Sequence, residues 1–172
     1  MDFLTLAKER YSVRSFSTKP IEKEKLDKII KAGMLAPTGC NLQPQRVLVV
    51  QSKEGLEKLK KCTKYTFDAP TCLVVCYDKT DCWTRKYDNK TCGEVDASIV
   101  TTHMMMQAYE IGIGSTWVMS FNPAELISQF NIPENYIPVA LLPIGYPSDS
   151  CTPSVLHEKC KNEEEVIFYE KF

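Results

Sequence analysis

The sequence predicts an α+β fold: a mixed sheet flanked by helices, with an extended C-terminal tail. Two short apolar runs rich in β-branched residues read as buried strands, and several amphipathic stretches carry a helical period. Helices and strands do not alternate in the clean strand–helix–strand order that a doubly wound sheet requires. With 172 residues, 44% of them hydrophobic and 10% aromatic, the chain can bury one sizeable core. No low-complexity linker divides it, so residues 1–172 are expected to form a single domain.

Residues 2–9 are expected to form a short helix, with Asp2 at the positive end of its dipole and Phe3, Leu4, Leu6 and Ala7 along one side. Pro20 opens a stronger helix over 21–35 that places Leu26, Ile29, Ile30, Gly33 and Met34 on one face, and Pro37 with Gly39 ends it. Arg46–Val50 reads as a strand, Lys53 to about Cys62 as a surface helix, and Thr71–Tyr77 as a second strand. The polar, aromatic-studded stretch from Asp78 to Thr91 is an excursion from the core. Gly93–Ile111 is the longest helix, with Val95, Ile99, Val100, His103, Met106, Gln107 and Ala108 facing a core or a partner subunit, and Gly112 stops it. A strand over Thr116–Met119, a helix over Pro123–Phe130, a strand over Val139–Ile144 and an extended tail with a short helix starting at Glu163 complete the chain.

Composition excludes several functions. The formal net charge is −1, from 21 basic and 22 acidic residues, so no global positive field recommends nucleic acid or an anionic membrane as a partner. No segment approaches eighteen unbroken apolar residues and the first ten carry charges, so the expectation is a cytoplasmic protein. Eight cysteines in a chain of this size are expected to be reduced, several of them buried. Cys72 and Cys76 on a strand lie roughly 13 Å apart at about 3.3 Å per residue, too far to share one zinc, and no metal site is expected. His103 and His157, the only histidines, are read as structural. Trp83, Tyr87 and Phe121 are read as core aromatics before walls of an aromatic pocket.

The chemistry is carried by two segments. Arg10-Tyr-Ser-Val-Arg14 spaces two permanent cations around a serine, a set that holds a phosphate dianion through charge-assisted hydrogen bonds. Ala36-Pro-Thr-Gly-Cys-Asn-Leu-Gln-Pro44 is a turn whose amides can read a polar ring. Together they point to a phosphorylated, ring-bearing cofactor.

These two segments resemble the R-x-S-x-R and A-P-S-x-x-N-x-Q-P motifs of the nitroreductase family of FMN-dependent oxidoreductases. Gly112–Ser120, Ile144-Gly-Tyr-Pro147 and the C-terminal Glu164–Val166 and Tyr169–Phe172 resemble further landmarks in the same order, so the resemblance spans nearly the whole chain. It implies FMN as cofactor, with Arg10, Ser12 and Arg14 on its phosphate and ribityl chain, and Thr38, Asn41 and Gln43 on its ring, reaching across from the other subunit. It implies that the backbone of Trp117, Val118, Met119 and Ser120 lies along the isoalloxazine, where an amide donates to flavin N5. Met119 stands where some relatives have Glu, so side-chain acid chemistry there is excluded, and Gln45 stands where a Trp is common. Cys160 falls at the family's C-terminal basic position, leaving Lys159 or Lys161 to supply the charge.

The implied activity is an NAD(P)H oxidoreductase that passes hydride to flavin N5 and then to an organic acceptor such as a nitroaromatic or quinone, with no catalytic side chain identified. The alternative is a flavin-binding storage or sensor protein without turnover. The resemblance further implies a homodimer with FMN at the interface.

Overall fold

The computed structural model describes residues 2–172. Its frame is a four-stranded antiparallel sheet in the order β1-β2-β4-β3, from β1 (Gln45–Val50), β2 (Thr71–Asp78), β3 (Gly114–Ser115) and β4 (Tyr136–Gly145). β2 is buried along almost its whole length because both faces are covered, which is why it reads as a continuous apolar run.

On one face, α2 (Lys23–Met34) and α4 (Gly93–Glu110) enclose Leu26, Ile29, Leu73, Val75, Val100 and Met104. On the other, α3 (Lys53–Cys62) and α5 (Pro123–Phe130) cover Leu59, Val74, Leu126 and Leu141. Two helices are closed by local caps that the sequence advertises: the Ser52 hydroxyl accepts from Gly55 N–H, and the Asn122 side chain accepts from Ala124 and Glu125 N–H. α1 (Phe3–Glu9) is capped in the same way by Asp2.

Several expectations shift. The strand expected over Thr116–Met119 is β3 at Gly114–Ser115, followed by an isolated bridge from Val118 to Leu141. Register against Gly145 and Ile144 decides this pairing, and two glycines give no local strand signal. β4 extends through Pro138 and Pro143, which reads locally as a boundary. A bulge at Val139, opposite the step from Val75 to Cys76, accommodates Pro138, which has no donor to contribute. Met34 is exposed at the end of α2 instead of packed, and on α4 the buried set is Ala97, Val100, Thr101, Met104 and Ala108, leaving Val95 and His103 outside. Tyr87 is 98% exposed, so it is no core aromatic.

α2 begins at Lys23, two residues later than expected, because Glu22 is held in extended backbone as its N-cap. The Tyr146 hydroxyl donates to Glu22 Oε2 at 2.6 Å and accepts from Lys25 Nζ at 2.9 Å. The Tyr146 hydrogen bond, helped by Lys19, holds the Glu22 carboxyl down at about 2. A folded pKa below the unfolded one stabilises the protein above the ordinary carboxylate range, and the contribution fades as pH falls from there through about 2. Tyr146→Phe is therefore expected to raise the Glu22 pKa and flatten the pH dependence of stability on this acid limb, read by NMR titration and urea melts. An unmoved Glu22 titration would assign the shift to the backbone hydrogen bond at Glu22 and to Lys19.

Candidate functional site

Val13 N–H donates to Ser115 O at 2.9 Å and Ser12 bridges Ser115 in parallel, so the segment after α1 is extended and runs beside β3. In extended chain the side-chain period is two. Val13 is 1% exposed and packs against Gly114, where a Cβ would come within 2.6 Å of it. Its neighbours Ser12 and Arg14 therefore face the opposite way, on the same side as Arg10. Arg10 and Arg14 are thus about 13 Å apart at their Cα atoms, a span that lets two long guanidinium arms bracket an anionic chain with Ser12 between them. Neither guanidinium has an ion-pair or hydrogen-bond partner among the described residues, whereas Arg46 and Arg85 are both paired.

The C-terminal tail returns to this segment. The His157 ring meets Tyr11 edge-on at 6.2 Å, and burial together with Cys151 raises the Tyr11 phenol above its ordinary value. The Ser15 and Ser148 hydroxyls pair at 2.7 Å nearby. Lys159 lies two residues beyond His157, and Lys159, Cys160 and Lys161 are all exposed. Ser115, which sequence reasoning passed over, is 2% exposed and its hydroxyl has no partner among the described residues. Only its place inside Gly112–Ser120 could have signalled it.

If Lys159 or Lys161 supplies positive charge here, Lys159→Ala with Lys161→Ala is expected to lower affinity for a phosphorylated cofactor while circular dichroism stays unchanged. Equal affinity would mark both lysines as solvated.

The second segment is a tight turn. Cys40, Asn41 and Gln43 take φ of 49°, 55° and 53°, left-handed values that cost of order 1 kcal/mol or more in a non-glycine residue unless the surroundings hold them. Gln43 N–H donates to Thr38 Oγ1 at 3.0 Å, Gln43 Nε2 donates to Asn41 Oδ1 at 3.3 Å, and Arg46 Nη1 donates to Gln43 O at 3.1 Å. The turn exposes its polar side chains in one arranged set.

Within one chain the two segments stand far apart. Gly39 N–H donates to Asp96 Oδ1, at the N-terminal end of α4, whereas Val13 packs on Gly114, just past its C-terminal end. The 18 residues of α4 rise about 27 Å between them.

Along the sheet edge, Val118 N–H and C=O both bond Leu141 at 2.9 Å, and Thr116 N–H donates to Pro143 O. Alternation leaves the N–H groups of Trp117 and Met119 without partners among the described residues, on the open side of the strand. Val118 itself is buried and its amide is committed to the sheet. The Ser120 carbonyl accepts from Thr63 Oγ1 at 2.6 Å, so of its two backbone groups the amide remains open. No group of three or more metal-ligating side chains occurs among the described residues, and burial pushes the Cys72 thiol up to about 12.

The free cations, the open amides and the arranged turn suit a phosphate, a polyol and a hydrogen-bonding ring. The family model described as "Nitroreductase family" matches residues 7–66 and 57–146. A nitroreductase family protein from Clostridium difficile superposes with a TM-score of 0.95 at 44% identity, over 100% of both chains. An FMN-dependent nitroreductase from the same species superposes at 0.79 with 28% identity, covering 99% of this chain and 100% of that one. Among curated proteins, the FMN reductase [NAD(P)H] of Bacillus subtilis is 29% identical over 90% of this chain and 70% of its own length.

Proposed function

Because this chain belongs to the nitroreductase family, we propose a division of labour among its residues for an FMN-dependent NAD(P)H oxidoreductase that reduces an organic acceptor. Arg10 and Arg14 hold the phosphate, Ser12 the ribityl chain, and Lys159 or Lys161 adds charge from the tail. Thr38, Asn41 and Gln43 read the ring. The open amides of Trp117 and Met119 orient it from the sheet edge, with Ser120 at the end of the same stretch. FMN held by these residues would supply the redox chemistry, hydride transfer from NAD(P)H to an acceptor such as a nitroaromatic or quinone. No side chain needs to act as a fixed acid: Met119 has no exchangeable proton and is exposed at the edge.

One observation carries the reading: the phosphate-type and ring-type segments lie at opposite ends of α4. A single FMN does not bridge that separation in one chain, which supports a homodimer in which each site takes its ring contacts from the partner. Exposed apolar groups support the same arrangement, with Phe3, Leu4, Met34, Leu35 and Val95 on the helical face, and Ile167, Phe168 and Tyr169 on the tail. We read residues 1–172 as one domain, since its two cores lie on the two faces of one sheet. No helix among the described residues is long and apolar enough to cross a membrane, and eight unpaired thiols suit a reducing cytoplasm.

The purified protein is expected to be yellow and to release FMN on denaturation. Dilution in a sedimentation experiment is expected to release flavin together with subunits. A monomer that retains stoichiometric FMN at low micromolar concentration would defeat the shared site, and a protein that neither releases nor retains FMN would defeat the cofactor assignment.

A further inference from the structure

We propose that Asp96 is a positioning residue that holds the Thr38–Gln43 turn in its ring-reading shape and couples the 79–92 excursion to it. The proposal rests on the assignment of that turn to the flavin ring. Asp96 is 3% exposed in the first turn of α4, and no cation pairs with it among the described residues. Its two carboxylate oxygens are spent on two different segments. Oδ1 accepts from the Gly39 N–H at 3.0 Å, and Oδ2 accepts from the Cys92 thiol at 3.0 Å. Cys92 in turn donates its N–H to Trp83 O at 3.0 Å, closing the excursion, which is a small hairpin with Thr84 bridged to Thr91.

The packing is as tight as the hydrogen bonding. A Cβ on Gly39 would stand 2.8 Å from Cys92 Sγ and 2.9 Å from Trp83 Cβ, both close to the main chain of the hairpin. Turn, hairpin and helix thus meet at one buried carboxylate. Three residues of the turn sit at positive φ without being glycine, and such a backbone persists only where its surroundings over-determine it. Thr38 and Arg46 secure the exit of the turn, and Asp96 secures its entry. Burial and the facing carboxylate raise the Cys92 thiol to about 11, so it remains a protonated donor at neutral pH.

The test compares Asp96→Ala and Asp96→Asn as dimers, by FMN titration of apoprotein and by the visible circular dichroism of the bound flavin, with Gln43→Ala as the gauge of the ring assignment. Asp96→Ala is expected to weaken FMN binding tenfold or more and to change the visible band. Asp96→Asn keeps an acceptor for Gly39 N–H and is expected to stay within threefold of the parent. Asp96→Ala with parental affinity and an unchanged band, beside an impaired Gln43→Ala, overturns the role of Asp96 alone. If Gln43→Ala and Asp96→Ala both bind FMN normally, the ring assignment falls and the inference with it. Should Asp96→Ala not fold, Gly39→Ala must displace Cys92 and Trp83 while leaving the carboxylate in place. The same band change is expected there, and its absence overturns the proposal.

Discussion

Arg14→Ala is expected to weaken FMN binding by about 2 kcal/mol, about thirty-fold in Kd, because a charge-assisted contact to phosphate is lost with nothing to replace it. Arg14 is exposed and has no acidic partner among the described residues, so its removal leaves no orphaned carboxylate and the fold should be unaffected. Arg14→Lys separates the two parts of the contact: it keeps the charge and loses the planar fork, and an intermediate affinity is expected. Titration of apoprotein by flavin fluorescence, with circular dichroism as the control for folding, measures both variants. Parental affinity in Arg14→Ala would remove Arg14 from the site.

Leu73→Ala is expected to cost about 3 kcal/mol of stability, the middle of the range for a fully buried leucine. Leu73 is 0% exposed on β2, flanked by β1 and β4 and packed beneath α2 and α4. Collapse of the cavity is opposed from both sides, since strand pairing fixes Leu73 opposite Val49 and Leu142. For a chain of this length the loss corresponds to a fall in Tm of about 10 °C, measured at fixed protein and FMN concentration because both shift the apparent stability. A loss below about 1 kcal/mol would show that the helices settle into the space.

Where local chemistry decides, the sequence was readable. α3 has the bounds expected of it because Ser52 caps one end and the amphipathic period runs out at the other. β2 was legible as an apolar run because burial on both faces permits no polar alternation. The misses share a distant partner. Glu22 ends the extended stretch before α2 through Tyr146, 124 residues away, and the true extent of β4 depends on its pairing with β2 across a bulge at Val139.

The candidate site divides in the same way. Arg10, Ser12 and Arg14 were legible as residue types, but their shared face follows from pairing with Ser115, which carries no recognisable signal. The resemblance supplied Thr38, Asn41 and Gln43, while their distance from the arginines follows only from the packing of α4. Asp96 carries only the local signal of an ordinary acidic residue in a helical first turn, since its turn partner Gly39 lies 57 residues away and Cys92 is the N-cap of its own helix.

The length of α4 also bears on genetics. If each site joins one chain's arginine segment to its partner's turn, a subunit damaged at Arg14 and a subunit damaged at Gln43 are each inactive alone for different reasons. Reassociated together, they form mixed pairs in which one site gathers both lesions and the other gathers none. Two defective alleles would then restore a working enzyme by complementation, and one intact site per mixed pair sets the ceiling on recovery.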